Sequence, residues 1–106
     1  MTGLLAECVA ALHLKSKGFY ILQSRYKTQA GKIDIITRNT TKIVFAEVKF
    51  RQSESDAANY INYQKCKNVY LASECFLQDF PEFLKLVSLF KLFIITPNRM
   101  SIMDIF

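Results

Sequence analysis

Cysteine and histidine are scarce here, and their scarcity closes several routes. The three cysteines, Cys8, Cys66 and Cys75, are odd in number and form no C-x-x-C pair. That sets aside a disulfide framework and a structural zinc centre, and the three read as buried thiols of a reducing cytosol. The single histidine, His13, lies in a segment that reads as a helix. No histidine-based acid–base mechanism and no histidine-rich metal site is open to this chain.

Long apolar runs are missing too. The longest stretch, Phe83 to Ile95, is cut by Lys85 and Lys91, and is too short and too charged to cross a bilayer. The opening, MTGLLAECVAALHLKSKG, has no basic leading region, and Glu7 interrupts its apolar part, so it does not read as a secretory signal. No linker, repeat or low-complexity segment is visible. The expectation is a single cytoplasmic domain over residues 1–106, without membrane contact.

What is present is an apolar, basic chain. Hydrophobic residues make up 51%, which excludes disorder, and the formal net charge is +5. A basic balance favours anionic partners, nucleic acid among them. At 106 residues one core can be buried with little surplus stability.

Leu4 to Lys17 reads as a helix with Leu5, Val9 and Leu12 at helical spacing, Cys8 beside them and Gly18 as its C-terminal cap. Phe19 to Gln23 reads as a short strand. Gly31 to Arg38 and Lys42 to Arg51 are the clearest strands, joined by the polar turn R-N-T-T-K. Ser53 to about Leu77 reads as one long helix capped by Ser53 or Ser55, with Glu54 and Asp56 at its positive end. After Pro81 a short helix is expected to about Leu89, then a strand over Leu92 to Thr96 and another over Met100 to Phe106. That order predicts an α/β fold, a mixed β-sheet flanked by helices.

Chemistry concentrates in the hairpin. Glu47 and Lys49 are two residues apart on one strand and leave the same face, with Phe45 and Arg51; Val44, Ala46, Val48 and Phe50 take the other. If Asn39 pairs with Lys42, then Arg38 faces Ile43, Ile36 faces Phe45, and Asp34 faces Glu47. Directly opposed residues have Cβ atoms about 5 Å apart on one face, and a one-residue slip would separate the two acids. Two such carboxylates repel unless a cation lies between them. Mg²⁺ takes oxygen ligands of this kind, and Lys49 beside it would orient a water or stabilise charge on a phosphate. The plainer reading is an ion-pair cluster on a solvated face, although the centre of a hydrophobic strand is an unusual place for Glu and Lys. Glu7 sits among the apolar helical neighbours Gly3, Leu4, Ala10, Ala11 and Leu14. It either faces the same site or carries its carboxylate out to solvent at the edge of the core.

G-K-I-D-I-I (Gly31 to Ile36), a short turn, then V-F-A-E-V-K-F-R (Val44 to Arg51) resembles the G-E-I-D-L-I…F-V-E-V-K-x-R signature of the YraN-like family. That bacterial group is similar to archaeal Holliday-junction resolvases and to the wider PD-(D/E)xK nuclease superfamily. Gly3, Glu7 and Ala10 fit its opening helix, Gly18-Phe19 and Arg25-Tyr26 its second element, and Lys65, Ala72 and Leu77 its long helix. The resemblance implies a restriction-endonuclease-like core and metal-dependent cleavage of DNA, branched or otherwise structured, by a homodimer. It implies Asp34, Glu47 and the Val48 backbone carbonyl as ligands of Mg²⁺ or Mn²⁺, Lys49 as the catalytic lysine, and Glu7 as the acidic helix residue completing the site. Gln64, Lys65 and Arg51 would face the nucleic acid, although a solvated helix lysine is the plainer account of Lys65. Three positions depart from the pattern: Lys32 stands where the family has Glu, Ala46 replaces Val, and Lys91 takes the acidic place of R-F-D.

Two other classes stay in view. One is a catalytically impaired nucleic-acid-binding protein of the same fold. The other is a protein-interaction module using the apolar residues Phe83 to Phe93, for which core packing is the better explanation. Tyr60, Tyr63 and Tyr70 would stack on bases in a binder, but helix tyrosines more often pack with a wet hydroxyl.

Overall fold

The computed structural model describes residues 3–53 and 62–106. In chain order these form α1 (Gly3–Ser16), β1 (Tyr20–Thr28), β2 (Gly31–Arg38), β3 (Lys42–Phe50), α2 (Tyr63–Asp79), a 3-10 turn (Pro81–Lys85), β4 (Val87–Ile95) and β5 (Met100–Asp104). The five strands make one sheet in the order β1-β2-β3-β4-β5. All neighbours are antiparallel except β3 and β4, which run parallel. The architecture is α/β, a mixed sheet with a helix on each face, and it is consistent with a nuclease-like core.

The two faces have separate cores. Ala6, Ala10 and Leu14 of α1 pack with Ile35, Val44, Ala46, Val48, Phe93 and Ile95. Ala72, Phe76 and Leu77 of α2 pack with Ile33, Ile36, Ile43, Phe45 and Leu86. Strand β3 therefore buries both sides, Val44, Ala46 and Val48 under α1 and Ile43 and Phe45 under α2, which explains its apolar run from Ile43 to Ala46. Phe76 is the hub of the second core. Its ring meets those of Tyr26, Phe45, Phe80 and Phe83, edge-on, tilted or stacked.

Several local expectations hold. The β2–β3 register is the one read from the turn, with Arg38 opposite Ile43 and Ile36 opposite Phe45. Asn39 sets it, accepting from the Thr41 and Lys42 N–H groups on its side-chain oxygen. Gly18 ends α1 with φ +91°, a left-handed cap.

Others are corrected. On α1 the large apolar residues Leu5, Val9 and Leu12 point outward, and the alanines face the sheet, where short side chains allow close approach. The thiols are not buried: Cys8 is exposed, and Cys66 and Cys75 are partly covered. Strand β1 runs on to Thr28 because β2 pairs with it as far as Gly31. The long helix does not start at Ser53. Helix α2 opens at Tyr63, with the extended Asn62 as its cap accepting from Lys65 N. Glu54, Ser55, Asp56 and Tyr60 lie outside the described residues. After Pro81 the chain makes one 3-10 turn and then a strand from Val87, not a helix to Leu89. The cause is non-local: β3 offers a parallel partner along its whole length, from Lys42 opposite Val87 to Phe50 opposite Ile95. Most of Phe83–Phe93 packs inward, with Leu84 and Val87 exposed. No helix among the described residues is long and apolar enough to cross a membrane.

Candidate active site

The site is built where strand β2 leaves its regular alternation. Ile33 packs under α2 and Ile35 under α1, although residues two apart on a regular strand share a face. The phase therefore slips at Asp34. The β2–β3 ladder ends one residue later, at Ile35 opposite Ala46. Asp34 instead turns its carboxylate to β3, where Oδ2 accepts from Val48 N at 2.7 Å. Oδ1 accepts from Lys32 Nζ at 2.6 Å. Asp34 is fully buried, and a carboxylate in that position persists only with such donors.

Glu47, the neighbour of Val48 on β3, is also buried. Its carboxyl and that of Asp34 lie within hydrogen-bonding reach, and each moves the other's proton affinity. Burial, the shared hydrogen bond and the Asp34 charge push the Glu47 carboxyl up to about 8. Burial works against the Asp34 charge too, but the Glu47 hydrogen bond, the Lys32 ammonium and the Val48 N–H together hold its carboxyl below the usual value. Near neutral pH the pair thus keeps one proton, on Glu47.

Lys49 Nζ stands 3.9 Å from Glu47 Oε1, farther than a hydrogen bond. Burial lowers the affinity of Lys49 for its proton, opposed by Glu47 and reinforced by the positive charge of Lys65. Lys65 lies in the first turn of α2. That turn reaches the site because Gly31 opens β2 without a side chain. Its φ is +151°, and an added Cβ would sit 3.2 Å from Asn68 Cβ of α2. Gln64 Nε2 in turn donates to Asn68 Oδ1 at 2.8 Å.

The structure brings Asp34, Glu47 and Lys49 together, with Lys65 in electrostatic range. Gln64 and Lys65 are exposed on α2. Arg51 follows β3 and donates from its guanidinium to Phe50 O at 2.8 Å. Glu7 does not join the carboxyl pair. Its Oε1 accepts from Arg25 Nε at 3.1 Å, although its charge still acts on Lys32. Among the described residues no group of three or more His, Cys, Asp or Glu side chains converges as metal ligands would. Asp34 and Glu47 supply hard oxygen donors, the type that divalent cations take.

Two side chains at the site carried no role in the sequence reading. Lys32 is marked in the sequence only as a departure from a family pattern, because its hold on Asp34 is a side-chain contact that spacing does not fix. Arg25 lies opposite Asp34, between the pairs Ser24–Ile35 and Tyr26–Ile33. It has φ +55°, the one non-glycine residue in the left-handed region among the described residues. Such strain at a site is held by its surroundings. An open cleft of about 510 Å³ between α1 and β1 is lined by Glu7, Arg25 and Ile35 together with Leu4, Cys8 and Leu12.

Comparison with known proteins matches residues 6–105 to a profile described as Uncharacterised protein family UPF0102. A UPF0102 protein of Azorhizobium caulinodans is 39% identical over 88 residues, covering 83% of this chain and 67% of the relative. One of Bradyrhizobium diazoefficiens is 36% identical over 99 residues, covering 93% and 74%. One of Rhizobium etli is 35% identical over 98 residues, covering 92% and 80%.

Proposed function

Since the chain belongs to the uncharacterised protein family UPF0102, the YraN-like family that its motifs resemble, we propose that it is a metal-dependent endonuclease hydrolysing phosphodiester bonds in DNA, with branched or structured DNA as the substrate class. The observation that carries this reading is the buried Asp34–Glu47 carboxyl pair with Lys49 beside it.

Asp34 and Glu47 would hold Mg²⁺ or Mn²⁺, with the Val48 carbonyl as the backbone ligand. When bound, such an ion supplies Lewis-acid polarisation of the phosphodiester. The chain's own groups do the rest. Val48 N–H fixes the Asp34 carboxylate in orientation. Glu47, which holds a raised proton affinity, would release its proton to solvent on taking up such an ion. Lys49, its ammonium already weakened by burial, orients the attacking water and offsets charge on the phosphate. Lys65 and Gln64 on α2, with Arg51 after β3, meet the nucleic-acid backbone, in keeping with the net charge of +5. A homodimer is the form in which two strands would be cut symmetrically.

A second reading, a catalytically impaired nucleic-acid binder of the same fold, draws on the Lys32–Asp34 contact. Cleavage and binding by Asp34→Ala and Lys49→Ala, measured on the same labelled DNA, separate the two. A nuclease loses cutting in both variants and keeps binding. Wild-type binding without cutting, unchanged or tightened in Asp34→Ala, would replace the nuclease reading with the binder.

A further inference from the structure

We propose that Lys32 is a tethered cation that competes with divalent metal for this site. Its ammonium holds Asp34 Oδ1, so a metal ion must compete with it for that oxygen. The inference rests on the metal-dependent reading of the Asp34–Glu47 pair.

Beside its hydrogen bond with the Glu47 carboxyl, Asp34 accepts on its two oxygens from two donors that differ in kind. Oδ2 is held by a backbone N–H, that of Val48, at 2.7 Å. The strand cannot withdraw this donor without unpairing. Oδ1 is held by Lys32 Nζ at 2.6 Å, on a flexible four-carbon stem. The Asp34 side chain is 1% exposed and that of Lys32 48%, so the ammonium can swing into water while the carboxylate stays. Lys32 precedes Asp34 by two residues on the same strand, so the contact lies within β2. A single positive charge on Asp34 does part of what a metal would do there: it neutralises one of two adjacent buried acids. A divalent ion therefore gains less from this site than from the same pair without the lysine, and must break a charge-assisted hydrogen bond to enter.

The test is direct binding of Mn²⁺, followed by the electron paramagnetic resonance of the free ion, for wild type, Lys32→Gln and Lys27→Gln at one pH and ionic strength. Lys27 faces Lys32 across the β1–β2 ladder and controls for loss of one unit of charge. Lys32→Gln should bind Mn²⁺ about tenfold or more tightly than wild type, and Lys27→Gln within about threefold of it. Equal affinities for wild type and Lys32→Gln would overturn the proposal and leave the metal reading standing. Equal gains in both variants would also overturn it, since net charge alone would be the cause. No Mn²⁺ binding by any of the three would overturn both readings. A measurement on wild type avoids dependence on the variant's folding. During a Mg²⁺ titration the Lys32 ammonium signal in nuclear magnetic resonance should move to that of a solvated lysine. A Lys32 signal unchanged at saturating Mg²⁺ would contradict the proposal.

Discussion

Asp34 reaches across from β2 to take the Val48 N–H at 2.7 Å, at the point where the β2–β3 ladder gives out. The carboxylate there replaces a backbone carbonyl as strand partner, and that substitution brings it against Glu47. Removing it leaves the Val48 N–H buried without an acceptor. Asp34→Ala should therefore cost about 1–3 kcal/mol of stability, the penalty of an unsatisfied buried donor. Urea unfolding beside wild type checks this, and an unchanged midpoint would show that the contact contributes little.

Glu47→Gln should behave differently. Near neutral pH Glu47 keeps its proton, so its carboxyl is already neutral, and an amide of the same shape replaces it. Stability at pH 7 should change by less than about 1 kcal/mol, while divalent-cation binding is lost. Denaturant unfolding and Mn²⁺ titration of this one variant together separate a binding role from a structural one.

The raised Glu47 carboxyl also fixes the sign of two pH dependences. Its folded value is about 8 against an ordinary 4.5, so the folded state holds a proton that the unfolded chain has released. The stability from this group is fully present below about 4.5 and is lost as pH rises through about 8. The depressed Asp34 carboxyl acts oppositely, losing its contribution as pH falls below the ordinary 3.8, outside that window. Urea midpoints should fall between pH 5 and pH 9 in wild type, with a flatter profile in Glu47→Gln. Divalent affinity should rise over the same range, because a metal binds the deprotonated pair.

Phe76 and Gly31 test the frame that supports the site. Phe76→Ala empties the centre of the α2-side core and should cost about 3–5 kcal/mol, a large share of the stability of a domain this size. Gly31→Ala puts a side chain at φ +151° and 3.2 Å from Asn68 Cβ, and should cost about 1–3 kcal/mol through backbone strain. Because the clash is with α2, Gly31→Ala should also alter the amide signals of Gln64 and Lys65, which Phe76→Leu should leave in place.

How far the sequence foretold this depended on the range of the interaction. The β2–β3 hairpin was legible because its determinants are local: the apolar strands and the Asn39 turn set one register. The same register put Asp34 near Glu47. The slip at Asp34 was not legible, since Ile33 and Ile35 look alike until α1 and α2 claim them on opposite faces. Strand β4 was read partly as helix because Lys85, Ser88 and Lys91 mimic a polar stripe; its parallel partner β3 lies across a long crossover. Lys91 pairs with Asp104 on β5, a contact between strands that spacing cannot reveal. On α1, the helical spacing of Leu5, Val9 and Leu12 marks the helix but not its buried face, which Ala6, Ala10 and Leu14 form against the sheet. Arg25 is matched in the sequence only as part of the family's second element; its left-handed backbone and its ion pair with Glu7 are tertiary features that spacing does not carry.

The most direct test of the central claim is cleavage of a labelled four-way DNA junction, with linear duplex and single strand as controls, in Mg²⁺, Mn²⁺ or EDTA. Wild type and Glu47→Gln, both verified as folded, are compared. Cutting by wild type alone, with metal only and strongest on the junction, is the expected result. Folded wild type that cuts no DNA in either metal, or a Glu47→Gln variant that cuts as well as wild type, would contradict it.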